Sequence, residues 1–361
     1  MRMTSLLLDA RQSRPDTVAG IVEWFGAMQA QDNASALWSL GSRLPASTRE
    51  DVEQALERRE AIRTWPMRGT IHLVPPVDAR WMLDLMGPRA LAGARSRRAN
   101  LGLSEQTADR GVEVLGAAMA GGRRLSRSQC LTVLAEAGVD ATGQRGYHLL
   151  WYASQRGVTC IAPAIDGEQT FVLLDDWVPD PRQVTREEGL AIMAIRYFRS
   201  HGPTTRQDFV GWTGLSAADA RLGIAAAGDA VASVEVGGLA MHVDPAALDR
   251  QGAATPVEKP GLVLALAGFD EYLLGYKDRA LMLAAEHKQA IIPGGNGVFQ
   301  WTLVRGGQVI GTWRRTPRSG RVIVDAMPLV EVEPDGRAAV EAAIEPYARF
   351  VGSRVEVRWP G

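Results

Sequence analysis

The sequence predicts an α+β protein in which three tandem winged-helix units precede a C-terminal small antiparallel β-barrel or sheet domain with one helix. First, helix-start signals followed by a short hairpin recur three times, with unit starts roughly 80 to 90 residues apart. Second, the region after residue 260 is dominated by strand-like runs with tight-turn signals between them. Third, the chain is 46% hydrophobic and 22% charged, which is typical of a folded globular protein.

The first unit is predicted to span residues 15–88. Its opening helix is predicted to run to about Gln31, because helical spacing is shown by Val18, Ile21, Val22, Phe25 and Met28. A short helix over 34–40 and a third helix after the capping sequence at 47–51 follow. Strands at 61–65 and 69–74 complete the order helix, helix, helix, hairpin, which is the winged-helix order.

The remaining units repeat this order. The second, residues 89–180, is predicted to contain helices at 104–119, 126–137 and 145–154 and strands at 158–162 and 170–174. The third, residues 181–245, has helix starts near 185, 204 and 216 and a hairpin of strands 232–236 and 239–243. A linker over 244–259 leads to the β-domain, 260–361, with predicted strands at 262–266, 298–304, 308–314, 321–324 and 355–357 and a helix at 336–350.

The charge pattern favours local patches over bulk attraction to nucleic acid. The net charge is -1, yet residues 89–98 hold four arginines and residues 305–321 hold five, with no acidic residue in either run. Such patches suit contact with phosphates. Cys130 and Cys160 lie far apart without a CxxC motif, which argues against a zinc site or a disulfide framework. No apolar run reaches membrane-spanning length, and we expect a cytoplasmic protein without cofactor or metal.

Common catalytic motifs do not occur in the sequence. It contains no GxSxG, HExxH or GxxxxGK[ST] pattern. Asp270 and Glu271, with the charged residues 277–279, are interpreted as a surface salt-bridge network in preference to an acid-base cluster. The glycine-rich residues 294–297 are interpreted as a hairpin turn, and His72 by itself as a packed strand histidine.

Two glutamines form the candidate site. Side chains two positions apart on a helix point in nearly opposite directions, so Gln29 and Gln31 converge only if the helix ends there. Asp32 and Asn33 favour such an end. The alternative is a capped helix end with two solvated amides.

The chain resembles a known family at several motifs: MQAQD at 28–32, RTWPMRGTIHLV at 63–74, FDEYLLGYKDR at 269–279, PGGNG at 293–297 and GTWRR at 311–315. These are similar to the winged-helix DNA-binding family of AlkZ and YcaQ type, which are bacterial DNA glycosylases. The resemblance implies tandem winged helices, a C-terminal β-domain and catalysis by Gln29 and Gln31. Ala30 is smaller than the family's usual aliphatic residue, and Trp65 and Pro66 replace an expected His-Leu pair.

The implied substrate explains the use of glutamine. Alkylation at N7 gives guanine a positive charge, so the base leaves without protonation, and neutral amides suffice to orient water against C1′. We expect Gln31 to hold the water and Gln29 to support it, although the roles could be reversed. Backbone contacts are expected from Arg68, His72, Arg314 and Arg315. The partner would be double-stranded DNA with alkylated purines, including interstrand crosslinks or bulky adducts, bound by a monomer. The alternative is a non-catalytic winged-helix DNA-binding or drug-sequestering protein.

Overall fold

The computed structural model describes residues 1–9, 14–253, 262–295 and 297–360. The elements of its first part are α1 (Arg2–Ser5), α2 (Val18–Phe25), β1 (Met28–Gln29), α3 (Asn33–Gly41), α4 (Arg49–Glu57), β2 (Ile62–Met67), β3 (Thr70–Val74), α5 (Ala79–Gly93) and α6 (Arg95–Asn100). The next are α7 (Glu105–Met119), β4 (Leu125–Ser126), α8 (Arg127–Glu136), α9 (Gln144–Gln155), β5 (Thr159–Ile165), β6 (Glu168–Leu173) and α10 (Leu174–Trp177).

The second half contains one more helical group and the β-rich region. The helical group comprises α11 (Arg186–His201), α12 (Arg206–Thr213), α13 (Ala217–Ala227), β7 (Ala232–Val236), β8 (Leu239–Val243) and α14 (Pro245–Ala253). The β-rich region comprises β9 (Val263–Leu266), α15 (Glu271–Leu274), α16 (Lys288–Ile291), β10 (Thr302–Arg305), β11 (Gln308–Arg318), β12 (Arg321–Pro328), α17 (Pro334–Val351) and β13 (Arg354–Arg358).

The predicted helix starts are confirmed by their caps. In each case a hydroxyl side chain accepts the N–H of the third helical residue, as at Thr48, Ser104, Ser126, Thr185, Thr205 and Ser216. Helix, helix, helix and hairpin therefore occur in the predicted order three times. The mixed α+β class is confirmed, whereas the winged-helix assignment and the unit boundaries remain predictions.

The first two hairpins belong to one sheet, which the sequence did not indicate. Its six strands lie in the order β1-β3-β2-β5-β6-β4, and β2 meets β5 where Arg63 pairs with Ile161. The third hairpin, β7 and β8, forms a separate two-stranded sheet. The first two units are thus joined through backbone hydrogen bonds.

The C-terminal sheet is open and is not wholly antiparallel. Its order is β13-β12-β11-β10-β9, and β12 and β13 run parallel because α17 forms the crossover between them. Thus the described strands form the sheet alternative of our prediction and not a closed barrel. α17 covers this sheet: Tyr347 packs its ring edge-to-face on Trp313 with centroids 5.1 Å apart.

Three local predictions are wrong, and one helix is missing from the prediction. α2 ends at Phe25 and does not reach Gln31, because Gly26 adopts a φ of +78° that ends the helix. The long helix α5 was not predicted. The predicted linker begins with α14, and its residues from 254 lie outside the described residues. The glycine-rich segment near 294 starts with the 3-10 turn Pro293–Gly295 in place of a hairpin, and Asn296 lies outside the described residues.

A buried ion pair joins the N-terminal and C-terminal halves. Arg43, fully buried after α3, donates from both terminal nitrogens to Asp270, over 2.8 and 3.0 Å. Ser39 donates to the same carboxylate over 2.9 Å. Asp270 also caps α15, so this pair fixes where that short helix begins.

Among the described helices, none is long and apolar enough to cross a membrane.

Candidate active site

Gln29 lies on a short edge strand, and Gln31 follows that strand in the chain. In β1, Met28 pairs with Leu73 and Gln29 with His72, and the Ala30 N–H donates to the Ile71 carbonyl over 2.8 Å. β1 ends at Gln29, and Gln31 lies two residues further on, in the bend that precedes α3, while Ala30 between them is fully buried. Gln29 therefore lies on a strand and not at the end of a helix, and the convergence of the two glutamines remains a prediction.

Gln29 is almost buried, and its amide is held in place. Its side-chain oxygen accepts from Arg68 Nη2 at 3.4 Å, and the side chain is 8% exposed. Arg68 reaches it because Arg68 and Gly69 form the two-residue turn between β2 and β3, with φ values of +55° and +70°. These angles are those of a type I′ hairpin turn.

Gln31 is exposed, in contrast, but its carbonyl group is also anchored. Its Oε1 accepts the N–H of Ile71 over 3.2 Å. The next residue, Asp32, caps α3 by accepting from the Ser35 N–H at 2.8 Å. Arg63 donates to the Ala30 carbonyl over 3.3 Å. The backbone on either side of Gln31 is therefore fixed.

His72 is a packed strand histidine, as its residue type alone suggested. It is fully buried, and burial together with the adjacent Arg68 lowers its pKa to about 3. Nδ1 lies 2.9 Å from the Thr70 carbonyl, so Nδ1 carries the proton and the Nε2 lone pair faces Arg68 Nη2 at 3.3 Å. The expectation of a DNA backbone contact does not fit this position, because the ring has no exposed surface. His72 instead orients Arg68.

Asp270 and Glu271 are not a surface network, which corrects our interpretation. They are 4% and 1% exposed. Glu271 Oε1 accepts the backbone N–H of Gln29 over 3.0 Å, and Oε2 accepts from the Trp212 indole over 2.9 Å and lies 3.2 Å from His201 Nε2. Burial raises the pKa of Glu271, but the hydrogen bonds and charge of these partners outweigh burial and hold the pKa below its ordinary value.

Sequence reasoning missed Glu271 because it considered the charge of this residue and not its place between apolar segments of the sequence. The two acids stand between the apolar strand β9 and the apolar residues Tyr272 and Leu273. An acid inside an apolar segment is expected to be buried and paired. The position of Glu271 inside an apolar segment was therefore the signal from which its burial could have been predicted.

Arg314 and Arg315 do not act as a pair. They are neighbours on β11 and project from opposite faces of the sheet. Arg314 is exposed, whereas Arg315 is partly buried with its guanidinium 3.8 Å from the centre of the Trp301 ring. Only Arg314 of the two presents its charge freely to a partner. In the other arginine run, Arg89, Arg95 and Arg97 are exposed on α5 and α6.

A cleft of about 510 Å³ opens beside Arg68. It lies between the β2–β3 turn and the helices α5, α9 and α12, and its walls include Arg68, Met86, Ala90, Trp151 and Leu215. The walls are mostly apolar. In the described part of the chain, no group of three or more potential metal ligands occurs.

The buried neutral His72 predicts a loss of stability in acid. Its pKa is about 3 in the folded protein against an ordinary 6.5, so the unfolded chain binds more protons between these values and the free energy of unfolding falls as pH drops through this window. This histidine contributes a slope of up to about 1.4 kcal/mol per pH unit. Urea denaturation of the wild type and of His72→Gln between pH 7 and pH 4 should show a shallower slope in the variant. Equal slopes would contradict the buried, neutral state.

Comparison with known proteins shows which family the chain belongs to. A family model described as DNA glycosylase AlkZ-like matches residues 22–350. The interstrand DNA cross-link repair glycosylase of Streptomyces sahachiroi is 28% identical over 379 aligned residues, covering 99% of this chain and 96% of that protein. The solved structure of the Streptomyces sahachiroi DNA glycosylase AlkZ is similar with a TM-score of 0.82 and 26% identity, covering 99% of this chain and 97% of that one. Since the family model spans most of its length, the chain belongs to the AlkZ-like DNA glycosylase family.

Proposed function

We propose that this DNA glycosylase hydrolyses the N-glycosidic bond of N7-alkylated guanine in double-stranded DNA, including bulky adducts or interstrand crosslinks, and leaves an abasic site. The observation that carries the proposal is the pair of neutral amides at β1 and just after it, with Gln31 exposed and Gln29 held by Arg68. Membership in a glycosylase family sets aside the alternative of a non-catalytic binding or sequestering protein.

The amides fit a substrate that is already activated. N7-alkylated guanine is a cation, so the C1′–N9 bond breaks with its electron pair moving to the base, which leaves neutral and needs no general acid. Water adds to C1′ and releases a proton to solvent. Each carbonyl oxygen has two lone pairs, and the single described hydrogen bond to each leaves one for the water or sugar.

The different solvent exposures of the two glutamine side chains suggest separate roles for them. Gln31 is exposed and is the better placed to orient the attacking water. Gln29 is 8% exposed and is preset by Arg68, which suits an amide oxygen directed at the positively charged sugar. Fixed dipoles of this kind need no reorganisation during the reaction.

DNA is held by local positive charge in this proposal. The net charge of -1 gives no general attraction, so contacts to phosphates are assigned to exposed arginines: Arg314 on β11 and Arg89, Arg95 and Arg97 on α5 and α6. Arg68 is partly exposed and lies between these helices and Gln29. It is the expected contact nearest the lesion.

The cleft beside Arg68 supports the proposal that the N7 substituent is bulky. N7 and N9 belong to the same five-membered ring, so a group on N7 stays within a few ångströms of the reacting sugar. A cleft of about 510 Å³ with apolar walls next to the Gln29–Arg68 contact could receive such a group.

Replacing both glutamines tests the chemistry. We expect the double variant Gln29→Ala/Gln31→Ala to release N7-methylguanine from duplex DNA at least about 100-fold more slowly, because the water and the sugar lose their amide partners. Its affinity for the same DNA should change less than about threefold, because the phosphate contacts remain. Single-turnover release measures the rate, and fluorescence anisotropy measures the affinity.

The control Gln54→Ala removes an exposed glutamine from α4 and should match the wild type. Undiminished release by the double variant would end the proposal.

Filling the cleft tests substrate size. Ala90 lines the cleft, whereas Ala92, two positions along α5 and so pointing nearly the opposite way, is exposed outside it. We expect Ala90→Phe to slow release of a bulky N7-alkylguanine by about tenfold or more while N7-methylguanine release stays within about twofold. Ala92→Phe should leave both rates unchanged. A rate loss by Ala90→Phe that is equal for both substrates would assign the cleft another role.

A further inference from the structure

We propose that Glu271 is a positioning residue of the glycosylase reaction, which fixes the backbone of Gln29 and balances the charge of Arg68 near the cationic sugar. The inference rests on the proposed function. It concerns a side chain that does not touch the substrate, because Glu271 is 1% exposed.

Glu271 closes the outer edge of β1. Successive N–H groups of a strand point to opposite edges, and the Ala30 N–H is taken by β3 through the Ile71 carbonyl at 2.8 Å. The Gln29 N–H therefore points away from β3, where it donates to Glu271 Oε1 at 3.0 Å. Within the described residues, β1 has no other strand beside it at this edge. Without the carboxylate, a buried N–H would lack an acceptor and the short strand would be held on one side only.

The carboxylate is itself fixed by separate elements. Trp212 of α12 donates its indole N–H to Oε2 over 2.9 Å, and His201 at the end of α11 lies 3.2 Å from the same oxygen. His201 is oriented in turn by Ser200, whose hydroxyl lies 2.8 Å from Nδ1. The start of α15 is set by the Asp270–Arg43 pair. Contacts from α11, α12 and the C-terminal region therefore fix the position of Gln29 together.

Gln29 lies between opposite charges. Its main chain contacts the Glu271 carboxylate, and its side chain contacts the Arg68 guanidinium at 3.4 Å. Positive charge that develops at C1′ is disfavoured by Arg68. A buried anion nearby offsets that repulsion, and charges act strongly where water is excluded. The hydrogen bonds that keep the pKa of Glu271 low keep this anion charged.

Glu271→Gln tests the proposal, because it preserves the shape but removes the charge and places an amide N–H₂ against a donor. We expect single-turnover release of N7-methylguanine to fall at least about 30-fold, with DNA affinity within about threefold of the wild type. The matched control is Asp78→Asn. Asp78 is also fully buried, accepts from the Trp81 indole at 2.9 Å and pairs with Arg196 at 2.7 Å. This control should lower the thermal midpoint by a similar amount and leave the release rate within about threefold.

A double-mutant cycle separates charge balance from structural support. If Glu271 offsets Arg68, Glu271→Gln/Arg68→Gln should be less impaired than the product of the two single effects. If Glu271→Gln does not fold, Trp212→Phe removes one hydrogen bond from the carboxylate and should slow release by about threefold or more. Release by folded Glu271→Gln within threefold of the wild type, an equal loss in Asp78→Asn, or additive effects in the cycle would overturn the proposal. Failure of the wild type to release N7-methylguanine would instead refute the proposed function.

Discussion

The site depends on the pairing of a two-residue strand, Met28–Gln29, with the second strand of the first hairpin. The preceding helix must stop for this strand to exist, and Gly26 stops it with a φ of +78°. From there the chain forms β1, and Gln29 on the strand and Gln31 just after it flank the buried Ala30. No branched side chain is needed at position 30 to reach the core, because Ala30 is already fully buried there.

The distribution of charge around this strand fits the chemistry of an alkylated base. Gln31 faces outward and Gln29 is nearly buried, and both are neutral amides, which suits the cationic leaving group of the proposed reaction. His72 is kept neutral by burial, and Arg68 is set by the hairpin turn, by His72 and by Gln29. The buried anion lies behind the strand, where it holds the backbone without reaching the DNA.

Local features of the fold could be predicted from the sequence, and long-range ones could not. The helix Glu105–Met119 and the caps at Thr48 and Thr185 follow from residues a few positions apart. The two glutamines were found through residue type and family resemblance, but their strand was not, because Met28 continues the helical spacing past Gly26. The burial of Glu271 depends on partners such as Gln29, 242 positions away, and no local pattern reports such a contact.

The most direct test of the account is a structure of the protein bound to duplex DNA that carries a cationic pyrrolidine abasic nucleotide, which mimics the charged sugar. We predict that the pyrrolidine lies against β1, with the amide oxygens of Gln29 and Gln31 within roughly 4 Å of the cationic ring. We also predict that the Gln29 N–H remains bonded to Glu271. A complex in which the sugar mimic lies elsewhere, with both amides facing only protein, would contradict the account.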